Sequence, residues 1–531
     1  MPPAPPGPSG DGRPSMLTRG GSYDALCAGF RWPRPERLNM AAQVCDDWAS
    51  AQPGRTAIID LSEGRAEVTY GDLRRMADTL ARDLQQRGIT RGDRVGVLRS
   101  QGGWCAAAHI AIWKLGAISI PLFKLFRHDA LAARVGDAGA RVIVTDDEGA
   151  AMVAGLDGVQ ALLPEALTLS DTAVEPVDCT PEDPAVLIYT SGTTGSAKGA
   201  LHAHRVLTGH LPGVEVSHDF LGQKGDVLWT PADWAWIGGL FDVLMPGLCL
   251  GVPVVAARLP KFTVPECLRI IRDGGVRNVF FPPTALRMLR AEDARIDGLR
   301  SVASGGEPLG AEMLAWAREA LGVTINEFYG QTECNMVASS CGALFPPRPG
   351  CIGKAVPGFD LAVLDDHGQP THGEGDIAVR RGAASMMLGY WNRPEQTAEK
   401  FCGDWMLTGD RGIWDGGYLR FVGREDDVIT SAGYRIGPAE IEDCLLTHPC
   451  VATAGVVGKP DALRTEVVKA YVVLKPGAQA SAQDLQAWVK DRLASYSYPR
   501  EIAFVEALPM TVTGKVIRKA LKARAAAEGT T

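Results

Sequence analysis

Tyr189-Thr190-Ser191-Gly192-Thr193-Thr194-Gly195-Ser196-Ala197-Lys198-Gly199 follows the apolar run Ala185-Val186-Leu187-Ile188. That run reads as a buried strand. A strand that breaks into Thr, Ser and Gly and then presents a lysine suits a polyphosphate. Glycines let backbone N–H groups crowd an anion, hydroxyls donate further hydrogen bonds, and Lys198 adds a point charge. The spacing departs from GxxxxGK[ST], because Ala197 stands where that pattern requires its second glycine. The competing reading is a polar surface loop between core elements.

Outward from this loop, strands and helices alternate. Asp72 to Arg87 carries Leu73, Met76, Ala77, Leu80, Ala81 and Leu84 on one helical face. Arg94 to Leu98 reads as a strand, Trp104 to Leu115 as a buried helix, and Ala117 to Pro121 and Val142 to Thr145 as strands. Further strands are expected at Val276 to Phe281, Ser301 to Ala303 and Thr324 to Phe328. This rhythm predicts an α/β fold with mostly parallel sheets flanked by helices and ligands beyond strand C-termini. No GxGxxG follows the early strands, which disfavours a dinucleotide fold.

At 531 residues the chain exceeds one core, so two or more domains are expected. Residues 1–22 are rich in Pro, Gly and Ser and are predicted to be a disordered tail, with Met16 as an alternative start. The large domain is placed at 23–422, a hinge at 423–427 where charge rises, and a small α+β domain at 428–531. In the latter, Pro438 to Leu446 and Ser481 to Leu493 read as helices, the second with Ser481 and Asp484 as a capping box. Tyr471 to Leu474 and Ile502 to Val505 read as strands.

The net charge of −8 argues against a nucleic-acid partner, and no apolar run is long enough for membrane insertion. No secretory signal is visible, and twelve cysteines without a CxxC pair point to a reducing cytoplasm. His202 and His204 read as loop or helix-start residues rather than metal ligands.

Four further stretches are polar at apparent strand ends: Tyr329 to Glu333, Thr408-Gly409-Asp410, Gly433 to Pro438 and Thr513 to Arg518. An acid in a turn at Asp410 suits a ribose diol, since a carboxylate accepts from two hydroxyls. Singly, each has a bland reading as a turn, a cap or a solvated lysine.

Together and in this order, these stretches resemble the adenylate-forming acyl-CoA synthetase superfamily, most closely its medium-chain members. The resemblance runs from about Met40 to Lys522 and rests on YTSGTTGSAKG, SGGEP, FYGQTE, TGD, GREDDVITSAGYRIGPAEIE, SYPR and TGKVIRK. One departure is Met510, where the family's PKTxxGK pattern has a lysine.

The resemblance implies a large N-terminal AMP-binding domain and a small mobile C-terminal domain. It implies ATP, Mg²⁺ and coenzyme A, with a short-to-medium-chain carboxylic acid as substrate. Lys515 matches the catalytic lysine between carboxylate and α-phosphate, with Thr332 and Glu333 beside it and Glu333 approaching the metal. Thr190, Ser191, Gly192, Thr193, Thr194, Gly195 and Lys198 match the pyrophosphate loop. Gly306, Glu307, Pro308, Glu327, Phe328, Tyr329, Gly330, Gln331 and Thr332 match the segments around adenine and α-phosphate, with Tyr329 as a stacking face. Asp410 matches the ribose acid, assisted by Arg424. Asp426 matches the hinge. Gly433, Tyr434, Arg435, Arg464, Tyr496 and Tyr498 match coenzyme A contacts.

Trp236, Gly305 and Gly330 are expected at the acyl pocket, with Trp234 and Ile237 to Met245 lining it or forming core. Acetate-specific relatives carry a tryptophan at the position of Gly330, so a deeper pocket is implied here. The alternatives are a ligase with another acyl acceptor, one acting on acetate, branched or aromatic acids, and an inactive scaffold. Intact Lys198, Glu333, Asp410 and Lys515 weigh against the scaffold. The oligomeric state stays open, with a homodimer as one option.

Overall fold

The computed structural model describes residues 15–528 except 127, 191–197, 260, 308, 425–426, 432–433, 462–463, 494–496 and 511–515; the side chains of 430, 434 and 435 are also outside the description. The expected apolar stripe builds α1 (Tyr70–Gln86), which buries Leu73, Ala77, Leu80, Ala81 and Leu84. A Thr69–Asp72 capping box starts it two residues before Asp72. Its partner, Gly103–Lys114, is buried nearly all round, as its unbroken apolar sequence requires.

The strands on either side of the expected phosphate loop pair with each other. β1 (Pro184–Thr190) lies parallel to Ile118–Pro121, and β2 (Lys198–Ala203) returns antiparallel to it with Thr190 opposite Lys198. α2 (Val206–Ser217) follows and is wholly buried. His202 is not a loop residue but lies fully buried within β2, whereas His204 is buried in the turn just before α2, as a helix-start residue. Burial pushes the His202 imidazole down to about 3. Four of the six β2 residues are buried, His202 among them.

A nine-stranded sheet carries β3 (Ser301–Gly305) parallel to β4 (Ile325–Gln331), which turns back antiparallel into β5 (Asn335–Ser339). The seven-stranded sheet ends in β6 (Gly389–Tyr390), antiparallel to β2. A third, five-stranded sheet holds β7 (Trp405–Asp415) and β8 (Tyr418–Arg424). These are mixed α/β layers with antiparallel additions at the edges nearest the motifs.

The C-terminal unit has its own five-stranded sheet, containing Ile429–Ser431, Tyr434–Ile436, Val451–Asp461, Thr465–Leu474 and Glu501–Phe504. α3 (Pro438–Leu446) spans the expected residues. The helix after Ser481 has the expected capping box but ends at Lys490. α3 starts hard against the large domain: a Cβ on Gly437 would lie 2.1 Å from the Val422 carbonyl oxygen of β8. Only glycine permits that approach.

The predicted disordered tail is too long. Met16 N donates to Glu215 Oε1 at 2.7 Å, and Ser15 Oγ and Leu17 N donate to its other oxygen. Glu215 is fully buried in α2, where burial raises its carboxyl to about 7. A buried carboxyl needs donors, and the chain from Ser15 supplies them. Residues 1–14 lie outside the description.

Candidate active site

The β4–β5 hairpin organises the site. Tyr329 Oη donates to Asp410 Oδ2 at 2.6 Å, joining the FYGQTE and TGD stretches across the two sheets. Burial and the Asp410 carboxylate hold the Tyr329 phenol well above its ordinary range, so it stays a donor. Arg424 Nε lies 3.9 Å from Asp410 Oδ1, across the β7–β8 pairing.

Thr408-Gly409-Asp410 is not a turn. It lies inside β7, with Gly409 at φ +79°, and the ladder to Gly375–Arg380 shifts register beside it. Such a bulge re-aims the following side chain without ending the strand. Gln331 Nε2 donates to the Thr408 carbonyl at 3.0 Å, and Lys400 Nζ reaches Gln331 Oε1 and the Leu407 and Thr408 carbonyls at 3.2 to 3.3 Å. Lys400 thus ties the hairpin to β7. Its lone position before Phe401 gave no motif signal.

Thr332 and Glu333 form the hairpin turn. Glu333 is buried, and Tyr390 Oη donates to its Oε1 at 2.5 Å. Burial and that carboxylate push the Tyr390 phenol up. The Lys198 ammonium sits 5.4 Å from the centroid of the same ring, a cation–π distance. Thr190 Oγ1 donates to the Lys198 carbonyl at 3.3 Å.

Gly306, at φ +100°, and Glu307 follow β3, and Glu307 is held by Arg287 at 2.7 Å. Glu327 is buried, and burial together with Asp443 of α3 raises its carboxyl to about 8. Phe328 packs against aromatic neighbours. Strand alternation turns its ring away from Tyr329, into contact with Phe280 at 5.2 Å, and Phe280 lies 6.2 Å from Trp236. A Cβ on Gly305 would lie 2.5 Å from the Phe328 ring, so that glycine makes room for the aromatic wall. Trp234 and Ile237 to Met245 are buried as core, whereas Trp236 remains partly exposed.

Gly330 packs tightly against β5. A Cβ there would lie 1.8 Å from the Asn335 carbonyl oxygen and 2.7 Å from Met336 N. Its missing side chain makes room for the backbone of β5. Asn335 itself is left-handed at φ +58°, and its buried amide donates to Asp242 Oδ1 at 2.9 Å beside His210.

Ser191, Gly192, Thr193, Thr194, Gly195, Pro308, Asp426, Gly433, Tyr496 and Lys515 lie outside the described residues, as do the Tyr434 and Arg435 side chains. The flanks of Lys515 are anchored: Ile517 N donates to the Pro509 carbonyl, and Arg518 pairs with Glu442 of α3. Lys522 lies 3.2 Å from Asp427. Arg464 N donates to Asp461 Oδ1 at 2.8 Å, and the Tyr498 ring lies under Lys490 at 4.1 Å within the C-terminal unit. No described contact joins either to the hairpin site. A cavity of about 1060 Å³ lined by Trp32, Leu201, Arg205, Met387, Tyr390 and Phe401 does not include Glu333, Lys198 or Asp410.

Residues 45–391 match the AMP-binding enzyme model, and residues 440–515 match the AMP-binding enzyme C-terminal domain. The chain belongs to the AMP-binding enzyme family. This AMP-binding enzyme is 33% identical to the human mitochondrial acyl-coenzyme A synthetase ACSM1, over 92% of its chain and 91% of the relative. It is 31% identical to the acetyl-coenzyme A synthetase of Bacillus subtilis, over 92% and 90%. Among solved structures, ATP-bound MatB from Rhodopseudomonas palustris superposes with a TM-score of 0.82 at 27% identity, covering 92% of this chain and 99% of that one.

Among the described residues, no group of three or more His, Cys, Asp or Glu could hold a metal ion, and no helix is long and apolar enough to cross a membrane. One buried carboxylate at Glu333 fits Mg²⁺, which keeps waters and phosphate oxygens as its other ligands.

Proposed function

We propose that this AMP-binding enzyme activates a short-to-medium-chain carboxylic acid and transfers it to coenzyme A. It is an AMP-forming acid–thiol ligase. In the first half, a carboxylate oxygen bonds to the α-phosphorus of ATP and the bond to the β-phosphate oxygen breaks, giving acyl-AMP and pyrophosphate. In the second, the coenzyme A sulfur bonds to the acyl carbon, AMP leaves, and the thiol proton is released. Two anions must meet in the first half, so fixed donors and cations carry the catalysis.

The observation that carries this reading is the Tyr329–Asp410 hydrogen bond at 2.6 Å, with Arg424 on the other carboxylate oxygen. Held by the phenol at Oδ2, Asp410 would accept from the ribose hydroxyls. Lys198 would neutralise the departing pyrophosphate. Gln331 and Thr332 would orient the α-phosphate from a turn braced by Lys400. Mg²⁺, when bound through Glu333 and phosphate oxygens, supplies charge neutralisation.

Lys515 would bridge the attacking carboxylate and the α-phosphate. Rotation of the C-terminal unit about Asp426 would then withdraw it and bring Gly433, with Tyr434, Arg435, Arg464, Tyr496 and Tyr498, toward coenzyme A. The clustered aromatics Trp236, Phe280 and Phe328 support an aliphatic acyl site, where each buried methylene contributes about 0.8 kcal/mol. Cytoplasmic residence is proposed from twelve unpaired thiols, the habit of a reducing compartment. Cell fractionation decides between this and the organelle named for the human relative.

The test is pyrophosphate release over a panel of acids, with and without coenzyme A. Lys515→Ala is expected to abolish acyl-adenylate formation and to spare thioester formation from supplied acyl-adenylate. Equal loss of both halves would remove Lys515 from its assigned step.

A further inference from the structure

Tyr390 belongs to none of the stretches that suggested the chemistry, yet it touches two of them. Its hydroxyl donates to Glu333 Oε1 at 2.5 Å, and its ring lies 5.4 Å from the Lys198 ammonium. The backbone around it is fixed from both sides. Leu388 N and Trp391 N donate to the Leu201 and Gly199 carbonyls of β2, and Met387 N donates to the Glu333 carbonyl. Tyr390 N is held by Thr397 Oγ1 at 2.9 Å. One short segment is therefore stapled to both the lysine strand and the carboxylate turn. The residue is 7% exposed, so its orientation is set by packing.

Opposite charges a few ångströms apart in a poorly screened cleft attract strongly. A direct Lys198–Glu333 ion pair would spend both groups on each other, and incoming nucleotide would have to break it. The phenol offers each charge a separate, weaker partner: a neutral donor for the carboxylate and a π face for the ammonium. We propose that Tyr390 is a positioning residue that holds Lys198 and Glu333 apart and oriented, so that both are free to receive the magnesium–triphosphate. This rests on the roles given above to Lys198 and Glu333.

The test is calorimetric binding of ATP to the full chain without acid or coenzyme A, so that nothing turns over. Titrations are run at graded free Mg²⁺ and again in EDTA. Tyr390→Phe keeps the ring and removes the donor. It is expected to raise the Mg²⁺ needed for half-saturation about tenfold, leaving metal-free ATP binding unchanged. Tyr390→Leu removes the ring as well and is expected to weaken metal-free ATP binding about fivefold in addition.

Glu333→Gln is the control for the underlying assignment. If it leaves the Mg²⁺ requirement unchanged, the role of Glu333 is wrong and the proposal falls with it. If Glu333→Gln shifts the requirement while Tyr390→Phe titrates like the parent, the role of Tyr390 alone is overturned. A uniform loss of both titrations in Tyr390→Phe, together with a lower melting temperature, reduces Tyr390 to a packing residue and also overturns it.

Discussion

Replacing Gly330 by alanine adds one carbon where the structure leaves no space. The new Cβ would lie 1.8 Å from the Asn335 carbonyl oxygen and 2.3 Å from its carbon. Heavy atoms in favourable contact sit about 3.5 to 4 Å apart, so β4 and β5 must part by roughly 1.7 to 2.2 Å. The obstacle is backbone, which cannot swing aside as a flexible side chain can. Overpacking of this kind costs about 1 to 3 kcal/mol. The functional effect is larger, because Thr332 and Glu333 form the turn between these strands. Displacing a reacting group by about 1 Å can cost about 100-fold. In an ATP–pyrophosphate exchange assay, kcat/KM is expected to fall about 100-fold for every acid from acetate to octanoate. The order of preference among the acids is expected to stay the same. A tryptophan at 330 carries the same Cβ and should behave at least as badly. Gly330→Ala with unchanged ATP kinetics and a preference moved toward acetate would refute this reasoning, since the hairpin would then yield freely and position 330 would face the acyl group.

The left-handed Asn335 should tolerate glycine better than alanine. Asn335→Gly loses the amide bond to Asp242, whereas Asn335→Ala loses it and adds left-handed strain of about 1 to 2 kcal/mol. Equal urea midpoints for the two variants would remove strain from the account. Glu327 should make stability fall as pH rises. Its folded carboxyl titrates at about 8 because of burial and Asp443, whereas an unfolded glutamate releases its proton near its ordinary value of 4.5. Between those limits the folded state holds the extra proton. Stability therefore declines by at most about 1.4 kcal/mol per pH unit and levels off above the folded value. Glu327→Gln should flatten that slope in urea titrations from pH 5 to 9. Parallel slopes for the two proteins would show that Glu327 ionises freely in the fold.

The local signals were sufficient wherever the deciding interactions lie within a few residues. The apolar stripe of α1, the Ser481–Asp484 capping box and Pro438 at the start of α3 all appear in the structure, with ends displaced by a cap or an early stop. Polar stretches at strand ends also singled out residues that the fold gathers: Tyr329 with Asp410, and Gln331 with Thr408. Tyr390, Lys400 and Arg287 were missed because each acts on a partner that chain position does not reveal. Lys400, for example, meets Gln331 from 69 positions away.

The sequence by itself determined which segments form helices and strands, because periodicity and caps act along the chain. Tertiary structure alone decided where the side chains point. Gly330 turns toward Asn335, Phe328 toward Phe280, and Gly409 bulges β7 so that Asp410 meets Tyr329. Cross-strand register fixes those directions, and a shift of one residue would carry each side chain to the opposite face. Register is set by partner strands distant in sequence, so no reading of one stretch contains it.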